Sequence, residues 1–255
     1  MKVIVLASGS KGNSTYVEYK NTKILIDIGI SCLSLERKLN SYGVSNNDLD
    51  AVLITHTHTD HINGLKTFAK KYNVPIFMSE LMKEDLDYNI NNIEYINSST
   101  LYIKDLIVNV IKTSHDTTDS NGYIVSGDKQ LVYITDTGYI NKKYFKAILN
   151  KDIYVFESNH DIEKLMNGRY PHNIKIRILS DRGHLSNRDS AYYLSKISGD
   201  KTKHIILAHL SEENNTEELA LSALNRALTK EQKNVEHIEV AKQKESILIE
   251  VWISD

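Results

Sequence analysis

From Thr55 to His61 the chain reads Thr-His-Thr-His-Thr-Asp-His, setting His56, His58, Asp60 and His61 into six positions directly after the apolar run Ala51 to Ile54. Imidazole nitrogen and carboxylate oxygen both suit zinc, and a carboxylate among histidines also admits manganese or iron. A loop leaving a strand end turns alternate residues to different sides of one point. His56 and His58 can therefore face one ion while Asp60 and His61 face a second. Further ligands must come from elsewhere, and His115, Asp136 and His209 each follow a predicted strand. Side chains gathered from strand ends onto one edge are what a shared site requires. Taken singly, His115 or His209 reads as a capping or core-satisfied histidine and Asp136-Thr137-Gly138 as a turn, so company alone makes them ligands.

The elements that must position these residues follow from period and punctuation. Val3 to Ala7, Thr15 to Tyr19 and Lys23 to Ile28 read as a meander of strands, and Ser31 caps a helix to about Tyr42 with Gly43 as its stop. A buried strand at Ala51 to Thr55, a helix at Ile62 to Tyr72, a strand at Pro75 to Met78 and a helix from Ser79 come next. Asn89 to Asn97 reads as an Asn-rich surface segment. Strands return at Leu101 to Ile103, Ile107 to Thr113, Gly122 to Val125 and Leu131 to Thr135, with Gly127-Asp128 as a hairpin turn. Helices at Lys142 to Leu149, Asn173 to Leu179, Arg188 to Ile197 and Glu217 to Thr229 then alternate with strands at Ile153 to Phe156, His204 to Ala208 and Ser246 to Ile253. Strands followed by helices occur twice, which predicts an α/β architecture of two sheets packed face to face with helices outside, a four-layer αββα sandwich.

Composition restricts the function classes. With 41% hydrophobic and 25% charged residues over 255 positions, the chain is neither disordered nor membrane-embedded, and a single domain over 1–255 is expected. Nowhere do about 18 uncharged apolar residues run together, so no membrane partner is expected. Cys32 stands alone and the N-terminus turns polar too early for a signal peptide, which points to the cytoplasm. The net charge of −2 gives no global reason to bind a polyanion. A local one exists: Lys164, Arg169, Lys175, Arg177, Arg182 and Arg188 crowd a stretch in which Asp181 is the only acid. Arg forks bind phosphate bidentately, although a solvated basic face would look the same.

At this point a resemblance enters. The run His56-x-His58-x-Asp60-His61 followed by His115, Asp136 and His209 resembles the full ligand series of the metallo-β-lactamase superfamily, and Leu25-Ile26-Asp27-Ile28-Gly29 is similar to its first motif. The resemblance implies that Asp27 organises the His loop from beneath, that Asp136 bridges ions held by His56, His58 and His115 and by Asp60, His61 and His209, and that a metal-bridging hydroxide is the nucleophile. Asp60 before His61, with Asp in place of Cys at the bridging position, resembles the two-metal phosphoesterases, lactonases and thioesterases of the superfamily. β-Lactamase chemistry and flavodiiron redox chemistry are disfavoured.

Three strings narrow the resemblance: Ala7-Ser8-Gly9-Ser10-Lys11-Gly12-Asn13-Ser14, Glu157-Ser158-Asn159-His160-Asp161 and Ser180-Asp181-Arg182-Gly183-His184-Leu185-Ser186-Asn187. Together they look like the YycJ/WalJ group of metallohydrolases, implying an exonuclease-like enzyme, 5′ to 3′ on DNA more than on RNA, with two divalent ions, Zn or Mn and with Fe allowed. The interval from Asp136 to His209 is too short for a β-CASP insertion. His184 reads as a leaving-group acid, because Gly183 lets the backbone approach a ligand and Glu157 can orient the imidazole; a helix-capping histidine is its bland alternative. Ser8, Ser10, Asn13, Asn159, His160, Arg169, Arg182, Ser186 and Asn187 are the expected substrate contacts, and Asp60 joins His184 and Glu157 in the catalytic group. Two rivals stay open: a small-molecule hydrolase acting on a cyclic phosphodiester, thioester or lactone, and a non-catalytic metal-stabilised scaffold. Pairing of two copies into a homodimer is also open.

Overall fold

Strands that are apolar on both faces demand cover on both sides, and here they receive it. In the computed structural model, which describes residues 1–250, β1 (Lys2–Ala7) sends Val3 and Val5 into one apolar layer and Ile4 and Leu6 into another. The first sheet runs β14-β1-β2-β3-β4-β5-β6, with β2 at Ser14–Tyr19, β3 at Thr22–Ile26, β4 at Ala51–Leu53, β5 at Ile76–Met78, β6 at Ile93–Tyr95 and β14 at Ile247–Glu250. The second runs β13-β12-β11-β10-β9-β8-β7, with β7 at Thr100–Ile103, β8 at Leu106–Lys112, β9 at Asn121–Ser126, β10 at Gln130–Ile134, β11 at Ile153–Glu157, β12 at His204–Ala208 and β13 at His237–Val240.

Three apolar clusters define four layers. Val3, Ile24, Leu53, Val108, Tyr133 and Val155 pack between the sheets. Outside the first sheet lie α1 (Cys32–Ser41), α2 (Thr59–Ile62), α3 (Leu65–Lys71) and α4 (Glu80–Glu84), where Leu35, Leu39 and Phe68 meet Leu25 and Val52. Outside the second lie α5 (Phe145–Ile148), α6 (Ile162–Asn167), α7 (His172–Leu179), α8 (Asn187–Ile197) and α9 (Glu217–Lys230), where Leu194 and Leu224 meet Tyr154 and Phe156. The expected αββα order is what the packing produces. Between Asp136 and His209 the described residues carry only α5 to α8, a short 3₁₀ turn and the strands β11 and β12.

Each sheet is antiparallel in its first part and parallel afterwards: β3 to β6 pair in parallel, and so do β10 to β13. Parallel strands place their C-terminal ends on one edge, where the loops that follow can converge. Thr55, Asp136 and His209 all leave on that edge.

Several boundaries differ from expectation. The strand expected through Ile28 stops at Ile26 because Asp27 adopts φ 61°, a left-handed conformation that ends pairing. The helix expected over Ile62 to Tyr72 is broken, with α2 and α3 separated at Asn63-Gly64. Gly64 passes so close to Ile30 that a Cβ there would sit 2.3 Å from its carbonyl oxygen. β6, inside the Asn-rich segment, and β13 are short edge strands in which Val240 alone is buried, so they lack the apolar run that identifies a buried strand. Helix α6 begins where the Asp161 carboxylate accepts from Lys164 N–H, a cap too brief to register as a period. Of the strand expected at Ser246 to Ile253, Ile247–Glu250 is formed and 251–253 lie outside the described residues.

Backbone hydrogen bonds stitch the His loop to the meander: Ile28 N–H donates to His61 O at 2.9 Å, Asn13 N–H to Asp60 O at 2.8 Å and, within the meander, Gly29 N–H to Asn13 O at 2.8 Å. A Cβ on Gly29 would fall 1.7 Å from Asp60 O, so no larger residue fits without moving that loop. Gly29→Ala is therefore expected to cost roughly 1–3 kcal/mol, read as a lowered urea midpoint, together with weakened divalent-metal retention. A variant with the parent's midpoint and metal content would show that the stitching does not hold the loop.

Candidate metal centre

The His56 to His61 loop and three strand ends bring the seven expected ligands into one cage, buried except at His58 and Asp60, which are half-buried. Ligand atoms of His56, His58 and His115 form one group within 4.8 Å of one another, and those of Asp60, His61 and His209 form a second. Asp136 stands between: its carboxylate lies 3.1 Å from His61 Nε2, 3.2 Å from His209 Nδ1 and 3.7 Å from His115 Nε2. His58 Nδ1 and His115 Nε2 are 3.2 Å apart, and His56 Nε2 is buried with no hydrogen-bond partner. A buried, unpartnered imidazole nitrogen aimed among other donors is costly unless something accepts its lone pair, and a divalent cation fits that requirement.

The opposite nitrogens are held by the surrounding fold. His61 Nδ1 lies 2.7 Å from Asp27 Oδ2, His115 Nδ1 lies 3.1 Å from Gly183 O, and His209 Nδ1 lies 2.9 Å from Glu157 Oε1. Thr55 Oγ1 stands 3.1 Å from His56 Nδ1 and from His61 Nδ1 while donating to Asp27 Oδ2 at 2.8 Å. Such outer contacts fix the tautomer and aim each ring. Asp27, Asp136 and His209 all adopt positive φ, between 55° and 61°, so each of these three strand ends turns sharply into the centre.

The charges interlock. Burial drives His56 well below the ordinary histidine range, with His61 adding to the effect, and burial likewise lowers His115. Both rings are thus neutral with a free lone pair. Burial works to raise Asp136, but His209 and His61 outweigh it and hold the carboxyl well below its usual range. Burial works to lower His209, but Asp136, Asp60 and Glu157 push it up to about 10. Protons on His61 and His209 balance these carboxylates, a balance that a bound cation would supply instead.

Glu157 and His184 sit against this cage. Glu157 is fully buried at the end of β11; Oε1 accepts from His184 Nδ1 at 2.8 Å and Oε2 from the N–H groups of Thr137 and Leu185 at 3.0 Å. Burial opposes its ionisation, but His184 and His209 hold it down at about 2. The His184 ring lies 4.9 Å from that of His115 and 5.3 Å from that of His209, with its side chain 19% exposed, so of the Glu157–His184 pair it is the member that meets solvent.

The expected substrate contacts fall differently. Ser8 accepts from His209 N–H at 2.8 Å, and Asn13 Nδ2 donates to Asp60 Oδ2 at 3.2 Å, so these two brace the cage while Ser10 stays exposed on the loop. Asn159 donates to His209 O at 2.9 Å. Ser186 caps α8, and Asn187 accepts from Ser158 Oγ at 2.7 Å, both buried. Arg182 donates to His115 O and Thr117 O, and Arg177 pairs with Asp116, so these two cations hold the His115 loop. Lys164 and Lys175 donate to backbone carbonyls, and Arg169 lines a separate cavity with Asp161, Glu163 and Glu213. Only side-chain partners distant in sequence could reveal this. Thr55 and Asp116 escaped the sequence reading for the same reason, although both adjoin a candidate ligand.

Residues 22–210 match the family described as Beta-lactamase superfamily domain. The chain is 40% identical to Exodeoxyribonuclease YycJ of Bacillus anthracis over 88% of each chain. It is 39% identical to Exodeoxyribonuclease WalJ of Streptococcus pneumoniae over 86% of this chain and 85% of that one. The solved metallo-β-lactamase fold protein YhfI from Bacillus subtilis superposes with a TM-score of 0.74 at 18% identity, over 97% of this chain and 98% of the other.

Two outcomes follow. Asp27→Asn keeps an acceptor for Thr55 N–H but turns an amide N–H toward His61 Nδ1, which drives the ring's proton onto the cage-facing Nε2. Divalent-metal affinity should fall about 10- to 100-fold in chelator competition, and an unchanged affinity would remove Asp27 from the support of the centre. His160 is 1% exposed with both ring nitrogens unpartnered, and burial holds it down at about 4, while Glu157, Asp161 and Asp189 pull upward and His184 downward. The folded state keeps it neutral, so its contribution is complete above the unfolded pKa near 6.5 and is lost as pH falls toward 4. His160→Leu should flatten the loss of stability of chelator-treated protein between pH 7 and pH 4.5 by on the order of 2 kcal/mol, measured by urea denaturation; parallel curves would refute the assignment.

Proposed function

Since this chain belongs to the β-lactamase superfamily and shares about two-fifths of its residues with exodeoxyribonucleases along most of its length, we propose that it is a metal-dependent nuclease that removes nucleotides from DNA ends. The observation that carries the reading is the Glu157–His184 pair set at 2.8 Å beside two adjoining ligand groups. In this reading His56, His58 and His115 would hold one divalent ion and Asp60, His61 and His209 a second, with Asp136 available to either, and Zn or Mn, with Fe also admissible, would be the ions. Ions held there supply Lewis acidity, lowering the pKa of a water and offsetting charge on a phosphate.

The protein's own groups do the rest. Glu157 accepts from His184 Nδ1–H, which fixes the ring and leaves Nε2, with no partner among the described residues, for the substrate. His184 then gives a proton to the departing sugar oxygen, a role in which a positioned acid is worth about 10² to 10⁴ in rate. Asn13 and Ser8 keep Asp60 and His209 aimed during that transfer.

With Zn²⁺ or Mn²⁺ and DNA labelled at either end, the protein is expected to release mononucleotides from the 5′ end, faster from DNA than from RNA, with two ions per chain by metal analysis. His184→Ala should lower turnover on DNA by about 10² to 10⁴ but act weakly on bis-p-nitrophenyl phosphate, whose leaving group needs little protonation, and metal content should stay unchanged. Hydrolysis of a thioester with no cleavage of any nucleic acid would overturn the nuclease reading in favour of a small-molecule hydrolase.

A further inference from the structure

Helices α8 and α9 lie side by side on the outer face of the second sheet and run in the same direction. Asn187 at the start of α8 donates to Asn215, just before α9, at 2.7 Å, and Lys196 near the end of α8 pairs with Glu231 after α9 at 2.7 Å. Between them is a groove of about 470 Å³. Its walls carry Arg188, Lys196, Arg226 and Lys230 against a single acid, Glu231, which Lys196 already engages. The side chains of Arg188, Arg226 and Lys230 have no hydrogen bond or ion pair among the described residues. Tyr192, 56% exposed, stands in the same lining.

The groove is joined rigidly to the centre. Helix α8 starts three residues after His184, and Asn187 is locked through Ser158 to the residue after Glu157. From Arg188 to Lys196 is eight residues, about 12 Å of helix, the rise of roughly three or four nucleotides of one strand. A cationic groove with an exposed aromatic ring is the arrangement that holds a single strand without reading its sequence, through phosphate contacts and base stacking. Resting on the nuclease reading, we propose that the α8–α9 groove is a binding track for the nucleic-acid strand whose end occupies the metal centre. Most of the basic stretch that looked like a phosphate patch in sequence holds loops instead, and the strand is taken by cations of which only Arg188 belongs to that stretch.

The test uses a phosphorothioate single-stranded 30-mer that resists cleavage, with binding to the metal-loaded protein followed by fluorescence anisotropy across salt concentrations. Arg226→Gln combined with Lys230→Gln should flatten the slope of log affinity against log salt by about 1.4, roughly 0.7 for each lost phosphate contact. Tyr192→Ala should weaken binding about 5- to 150-fold, and Tyr192→Phe should restore it. Melting temperatures equal to the parent's exclude misfolding. Variants that match the parent in affinity and slope, while the parent cleaves DNA, overturn the track and leave the nuclease reading intact. A parent that hydrolyses no phosphodiester, yet binds the 30-mer with these dependences, supports the track and removes the nuclease reading.

Discussion

The Asp27 carboxylate, with no solvent exposure, accepts from Thr55 N–H and Thr55 Oγ1 at 2.8 Å and lies 2.7 Å from His61 Nδ1. It joins the end of β3 to the end of β4 and to the first turn of α2, the three places from which the His loop is hung. Burial raises its pKa, with the His61 charge and these donors pulling the other way. A buried carboxylate is tolerated only when its lone pairs are met, so the loop that meets them is held in one conformation. The left-handed backbone at Asp27, Asp136 and His209 costs on the order of 1 kcal/mol each, and the packing of the two sheets offsets it.

A second buried carboxylate does the same from the other sheet. Glu157 ties β11 to the turn after β10, through Thr137 N–H, and to the His184 loop, through Leu185 N–H, while engaging His209 and His184 with its other oxygen. Each sheet therefore contributes one acid that meets no solvent and orients a histidine. The two acids explain why ligands far apart in sequence share one geometry: movement of any strand end would leave a buried charge unsatisfied, at a cost of several kcal/mol.

The charge distribution follows a similar economy. Arg177 and Arg182 look like phosphate ligands by residue type, but the nearest anionic or carbonyl oxygens belong to the His115 loop itself. Holding that loop keeps His115 and the His58-facing Asp116 in place. The side chains of Arg188, Arg226 and Lys230, along α8 and α9, have no such oxygen within hydrogen-bonding reach among the described residues.

The chemistry of the centre was legible in the sequence because ligand identity and density are local: four donors within six residues after an apolar strand need no tertiary information to suggest a metal. The layer order was legible too, since β11 alternates between two apolar layers and α9 repeats its buried Ala220, Leu224 and Leu228 at helical spacing. What remained hidden depended on partners distant along the chain. That Ser186 caps α8 and Asn187 is locked to Ser158, that Arg182 donates to His115 O, and where β6 and β13 pair all depend on which groups the fold brings within hydrogen-bonding reach. Residue type states what a side chain can bind; only packing decides which of the eligible partners arrives first and excludes the rest.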